Sequence, residues 1–289
     1  MDVNVEPGAH FRIQTPFSAR LSWTHRWEPS TYAPPKYQDL QNTTRQRIGE
    51  LDFITRQIVC ESADAGVRSL RVLLASCRAQ IWSAGWQVFA RSVIRDHPIL
   101  DLIHQSPVSS AIFDRPASLD PFAFFSSALV CPNRSADRSA HIAAAELDGD
   151  TPRAIRDCRR LLSRAIGETW AANPTARILN ATRGMAAGVG ADLICVAGVL
   201  ESLPDGRASQ LLSDLFTKLA PRGRLLAMSI DPAVNDRAYL EACMDLWLVY
   251  RDETAIRRLL ATIRDRQIAS VHASRAPNAP AVVLDVVRA

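Results

Sequence analysis

The sequence predicts an α/β protein: an α-helical N-terminal unit followed by a sheet whose central strands run parallel. Three observations carry this. Apolar residues recur at three-to-four spacing through the first third of the chain. After Asn173-Pro174 the period changes to short, continuously apolar runs. Two of those runs flank a leucine-rich helical segment, which makes a strand, helix, strand crossover.

Residues 1–35 carry five prolines (Pro7, Pro16, Pro29, Pro34, Pro35) and predict an extended arm, with Trp23 and Trp27 to pin it down. Leu40, Ile48, Leu51, Ile54 and Ile58 predict a helix over 37–60, and Val67, Leu70, Leu74, Cys77, Ile81, Val88 and Val93 one long helix over 63–95. His97-Pro98 ends it, because proline can begin a helix but not continue one. Residues 123–131 read equally as a buried strand or a connector. Thr151-Pro152 predicts a capped helix start, with the helix running to 172. Strands are expected at 176–181, 191–197 and 224–230, with a helix over 205–219 that Pro221-Arg-Gly223 terminates. Helices over 237–250 and 254–264 and an antiparallel edge hairpin, 268–273 with 281–287, complete the pattern. The expected organisation is an arm at 1–35, a helical unit at 36–125 and an α/β domain at 126–289.

Composition narrows the function classes. With 289 residues, 47% hydrophobic, the chain has ample material for a core, and no run is long and apolar enough to span a bilayer. The opening residues lack a basic stretch followed by an apolar one, so a cytoplasmic location is expected. The net charge of +4 is too small and too well mixed to point to nucleic acid. The stripe of Arg153, Arg156, Arg159, Arg160 and Arg164 reads as a solvated face, interrupted by Asp157 and Glu168. Six cysteines with no Cys-x-x-Cys pair predict buried, reduced thiols, and six histidines without ligand spacing predict no metal site. His104 could serve as a general base, though a helix cap or a core contact is the favoured reading. The 12 glycines, about 4% against a usual 7% or so, leave few for a nucleotide-cradling loop.

A strand ending Ala-Gly, a Leu-Pro-Asp turn, a leucine-rich helix, Leu-Ala-Pro-Arg-Gly and a strand Arg-Leu-Leu stand in an order that resembles the second half of class I S-adenosylmethionine-dependent methyltransferases. The segments 97–107, 197–205 and 239–251, with Phe113-Asp-Arg-Pro116, narrow the likeness to the bacterial methyltransferases that make the 3-hydroxypalmitic acid methyl ester signal. The resemblance implies a reduced Rossmann-like domain, S-adenosylmethionine as cofactor, and methyl transfer to a carboxyl or hydroxyl of a small-molecule or fatty-acyl substrate. It implies Asp148, Asp150, Asp192, Gly198 and Glu201 at the cofactor. At the substrate it implies Glu241, Asp245, Trp247, Tyr250 and Arg251, with Glu241 and Asp245 one turn apart on a single helix and Arg251 pairing with a carboxylate.

Two placements of the first strand stay open. In one it is 126–131, followed by a turn without glycine, with Asp148 or Asp150 as the ribose acid. In the other it is 176–181, so close to the strand at 191 that two strands and two helices of the family are missing, with Gly184, Gly188 and Gly190 between the strands. The alternative function is a catalytically inactive pseudo-methyltransferase acting as a scaffold, with a protein partner or as a homodimer.

Overall fold

The computed structural model describes residues 35–114, 125, 137–181, 189–276 and 279–289, with side chains from 44 onward. Residues 1–34 of the expected arm, the candidate strand at 126–131 and the glycines at 184 and 188 lie outside the described residues, and Pro35 already begins the first helix. The chain divides into two units, Met1–Asp39 and Leu40–Ala289, and the second holds the whole sheet.

The chain is mixed α/β, with helices ahead of a five-stranded sheet. The helices are α1 (Pro35–Cys60), α2 (Ala63–Gln80), α3 (Ser83–Val88), α4 (Pro98–Ile103), α5 (Pro107–Phe113), α6 (Arg138–Leu147) and α7 (Asp150–Ala172). Then come β1 (Ile178–Asn180), β2 (Ala191–Val196), α8 (Asp205–Thr217), β3 (Leu219–Ile230), α9 (Arg237–Cys243), α10 (Glu253–Arg258), β4 (Ile268–Arg275) and β5 (Ala281–Arg288). No helix is long and apolar enough to cross a membrane among the described residues.

Local chemistry explains several of the helix starts. Ser62 caps α2, accepting from the Ala65 amide, and Ser106 caps α5 ahead of Pro107. At α4 the cap is His97, whose Nδ1 accepts from the Ile99 amide at 3.1 Å, with Pro98 in the first turn.

The expected 63–95 helix is interrupted. Ile81 and Trp82 are extended, and the chain restarts as α3, which passes into a wider π-helical turn at Phe89–Ile94. Gly85 makes the close packing at the break feasible: a Cβ there would lie 2.8 Å from the Trp82 ring and 2.9 Å from Ile81. Thr151 does not cap α7 as expected. That helix begins at Asp150 with Gly149 as its cap residue, and Thr151 gives its amide and its hydroxyl, each at 2.8 Å, to the Asp236 carboxylate. A remote carboxylate thus satisfies the N-terminus of α7. Gly149 leaves room for it, since a Cβ there would meet Asp236 Oδ2 at 2.5 Å.

The sheet order is β1-β2-β3-β5-β4. β1, β2 and β3 are parallel, and β5 lies antiparallel to both β3 and β4. The terminal hairpin is present, but β5 pairs inward with β3 and only β4 is at the edge. β1 is the opposite edge among the described residues, directly beside β2, which is the arrangement of the second placement.

Alternate residues of each strand separate into two cores. Leu193, Cys195, Leu226, Met228 and Ile230 join the α1–α7 and α9 side, whereas Ile194, Val196, Leu225, Ala227, Val282, Leu284 and Val286 pack with α8 and α10. Burial on both faces is why these strands read as continuous apolar runs.

Candidate functional site

The site lies beyond the carboxyl ends of β2 and β3, the end of an open α/β sheet at which ligands bind. After β2, Gly198 takes φ 78°, a left-handed turn that suits glycine, and a single 3-10 turn at Leu200–Ser202 places Glu201 in a buried position. After β3, buried Asp231 accepts from the Ala233 amide and faces Arg275 at 2.8 Å. The segment 244–251 then runs across both strand ends, with the Val249 amide bonded to the Glu201 carbonyl and the Arg251 amide to the Ile230 carbonyl.

Helix α9 stops at Cys243, well short of the expected Tyr250. Asp245 takes φ 45°, a left-handed conformation that aspartate tolerates, and the Leu246 amide turns back to the Leu240 carbonyl. Glu241 and Asp245 therefore do not share a helix face. Glu241 is buried and Asp245 is exposed, where it accepts from Trp247 Nε1 at 2.6 Å.

Glu241 anchors a pocket of about 200 Å³ between α2, α3 and α9, whose walls include Arg78, Trp86, Arg237 and Trp247. Its carboxylate accepts from Arg78 Nε (2.6 Å), Trp86 Nε1 (2.7 Å), Arg237 Nε (2.9 Å) and Arg78 Nη2 (3.3 Å). Arg237 also lies 4.6 Å over the Tyr250 ring, and Arg91 lies 5.1 Å over Trp247. Burial holds the Tyr250 phenol well above its ordinary value, so it stays neutral.

Arg251 has another task. It is 1% exposed, and its guanidinium donates to the Leu200 carbonyl (2.6 Å), the Leu203 carbonyl (2.7 Å) and Asp205 Oδ1 (2.9 and 3.0 Å). It clamps the turn after β2, and a substrate carboxylate would have to displace those bonds.

The residues expected at the cofactor are scattered. Gly198 and Glu201 sit together after β2. Asp192 lies at the opposite end of that strand, where its carboxylate accepts from the Arg177 amide at 2.7 Å. Asp150 bonds Asn235 and Arg153, and Asp148 is an exposed residue closing α6. On chemistry, the pair at the end of β2 fits part of a nucleoside cofactor: a glycine that lets the backbone approach, and a carboxylate able to accept from hydroxyls.

A second polar cluster lies deeper. Glu146 accepts from Ser106 (2.5 Å), from Ser109 and from the Tyr239 hydroxyl (2.7 Å). Arg71 donates to the Ala145 and Glu146 carbonyls and lies 5.3 Å over the Tyr239 ring. Burial raises the Glu146 and Asp236 carboxyls above their ordinary values, against the pull of their hydroxyl donors and of Arg71.

The sequence pattern does not single out Arg78, Trp86 or Arg237. Only the Arg237–Glu241 spacing of four, with both residues in one predicted helix, is a readable signal. His104 holds the Cys243 carbonyl at 2.8 Å, a core contact. Cys60 is exposed, unlike the expected buried thiols, whereas burial pushes Cys77 and Cys195 up to about 11. The arginine stripe of α7 is largely paired on its own helix, Arg153 with Asp150, Arg160 with Asp157 and Arg164 with Glu168.

No family model matches the chain, and no curated protein does. Among solved structures, OxaC aligns at 20% identity and TM-score 0.28 over 34% of this chain and 26% of OxaC, so this match spans about a quarter of that protein. A possible exported protein from Bordetella parapertussis aligns at 11% identity and TM-score 0.42, over 90% of this chain and 98% of its own. The S-adenosylmethionine-dependent methyltransferase SibL aligns at 15% identity and TM-score 0.31, over 87% and 96%. These scores lie below 0.5 and carry no function over to this chain.

Proposed function

We propose that this chain is a methyltransferase-like protein that takes S-adenosylmethionine beyond β1 and β2 and a small molecule in the Arg78–Trp247 pocket, transferring a methyl group to a carboxyl or hydroxyl oxygen. The observation that carries the reading is the location of the pocket. Its Trp247 wall belongs to the segment 244–251, which is tied to the carboxyl ends of β2 and β3 by the bonds of the Val249 amide to the Glu201 carbonyl and of the Arg251 amide to the Ile230 carbonyl.

The cofactor, when bound, supplies an electrophilic methyl group on a sulfonium. Gly198 and Glu201 would hold it. The chain's own contribution is positioning: Arg78 and Arg237 orient an acidic group, while Trp86 and Trp247 exclude water from it. A carboxylate acceptor is already nucleophilic at neutral pH and gains chiefly from alignment and desolvation, so it needs no general base, whereas a hydroxyl acceptor would release its proton to solvent. The pocket volume suits a small molecule, and a fatty-acyl chain would lie largely outside it.

The test is a thermal-unfolding titration with S-adenosylmethionine. Saturation at a hundredfold excess over Kd adds about 2.7 kcal/mol of stability, a clear rise in Tm. An unchanged Tm at millimolar cofactor would refute the methyltransferase reading and leave the inactive, scaffold-like alternative.

A further inference from the structure

We infer that the Arg78–Arg237 pocket binds a small planar organic anion, an aromatic carboxylate, through guanidinium nitrogens that Glu241 leaves available. This names the substrate class of the pocket between α2, α3 and α9 and so rests on the methyltransferase reading of it, although binding itself requires no cofactor.

Glu241 accepts four donors and has no lone pair left for a ligand. It engages Arg237 through Nε alone and Arg78 through Nε and Nη2. Both η nitrogens of Arg237 and Nη1 of Arg78 therefore have no hydrogen-bond partner among the described residues. Two guanidiniums against one carboxylate leave a net charge of +1 at the pocket wall. The side chains of Arg78 and Arg237 are 31% and 32% exposed, open enough to receive a ligand, whereas Glu241 is 1% exposed and fixed.

Glu241 is thus a positioning residue. It holds the inner edges of two forks, and the Tyr250 ring beneath Arg237 helps to fix the plane of one. A carboxylate is the group that matches such a fork.

The rest of the wall selects the body of the ligand. Trp247, partly exposed, offers indole surface, while Trp86 and Ile81 line the pocket as buried side chains. A cavity of roughly 150 Å³ accommodates benzene, so about 200 Å³ accommodates one ring bearing a carboxylate. A 16-carbon acid exceeds it.

The experiment titrates the full chain, without cofactor, with 4-hydroxybenzoate, 4-hydroxybenzamide, palmitate and inorganic phosphate. Binding is read by calorimetry, with the intrinsic fluorescence of the chain, to which Trp247 at the pocket contributes, as a second signal. The expected result is saturable quenching by the benzoate, with the neutral amide at least about tenfold weaker because it lacks the charge-assisted pair. Arg237→Gln should weaken the benzoate about tenfold, and Arg237→Lys, which keeps charge but not the fork, by less. Equal binding of acid and amide, tighter binding of palmitate or phosphate, or no saturation by the benzoate overturns the inference. If the Arg237 variants do not fold, the ligand series on the unmodified chain decides alone. Benzoate binding without any response to S-adenosylmethionine would sustain the anion site and remove the methyltransferase reading; the converse result would do the opposite.

Discussion

Arg251 is the residue for which the sequence and the structure suggest different work, and its replacement separates them. As a clamp it satisfies the buried Leu200 carbonyl and the half-buried Leu203 carbonyl with charge-assisted bonds at 2.6 and 2.7 Å. Such bonds contribute about 1.5–3 kcal/mol each. The bonds to Asp205 add little, because the side chain of Asp205 is 74% exposed and water competes for it. Arg251→Met keeps most of the apolar stem and loses both carbonyl bonds, for an expected loss of about 3–5 kcal/mol once partial rehydration of the turn is allowed. Urea unfolding followed by far-UV circular dichroism measures it, with an unchanged m-value as the two-state check. Because the clamped turn carries Glu201, cofactor binding should weaken as well, while the isolated anion site responds less. A stability loss under about 1 kcal/mol, together with abolished binding of the anionic probe, would show that Arg251 is a ligand group and that the clamp is incidental.

Two further outcomes are expected. Glu146 has an ordinary value of 4.5, and burial raises it in the folded chain, so the folded state keeps its proton to higher pH than the unfolded state. The stability it contributes is fully present below 4.5 and is lost as pH rises through the folded value. Glu146→Gln should therefore gain on the unmodified chain as pH rises from 4.5 upward in urea titrations, whereas a pH-independent difference would contradict the burial argument. Gly223→Ala places a methyl 2.5 Å from the Ala191 carbonyl oxygen and 2.9 Å from that of Ala220, and backbone cannot swing aside as a side chain can. The cost should be about 1–3 kcal/mol in thermal unfolding, and a neutral result would mean that β2 and β3 approach each other less tightly than these distances require.

Much of the sheet is legible in the sequence because its physics is local. Ala191–Val196 and the later part of Leu219–Ile230 are buried on both faces, and that burial is written directly into the runs Leu-Ile-Cys-Val and Leu-Leu-Ala-Met. The position of β5 is not legible, because its partner β3 lies some 60 residues away and either order satisfies the same apolar pattern. Of the three helices expected too long, 63–95, 237–250 and 254–264 (observed only as Glu253–Arg258), the breaks in the first two are hidden for a related reason. One break falls at Ile81 and Trp82, apolar residues that fit a helical pattern, and the other at Asp245, where only the left-handed backbone identifies the stop.

The site divides in the same way. Glu241 and Trp247 stand out in the sequence, although through a helix that ends between them. Arg78 comes from α2, 163 positions before Glu241, and no local pattern connects the two. Asp192 stands in a strand that the sequence marks clearly, but at its amino end, where the amide of Arg177 takes its carboxylate. Of the few glycines, Gly198, left-handed at φ 78°, is the one that the proposed cofactor site uses.

Hydrogen exchange with and without saturating S-adenosylmethionine tests the proposed cofactor site most directly, because it reports where binding acts as well as whether it occurs. Protection is expected at 178–180 and 196–203, the carboxyl ends of β1 and β2 with the turn that Arg251 clamps. Unchanged exchange throughout, or protection confined to elements remote from those strand ends, would contradict a cofactor site at Gly198 and Glu201.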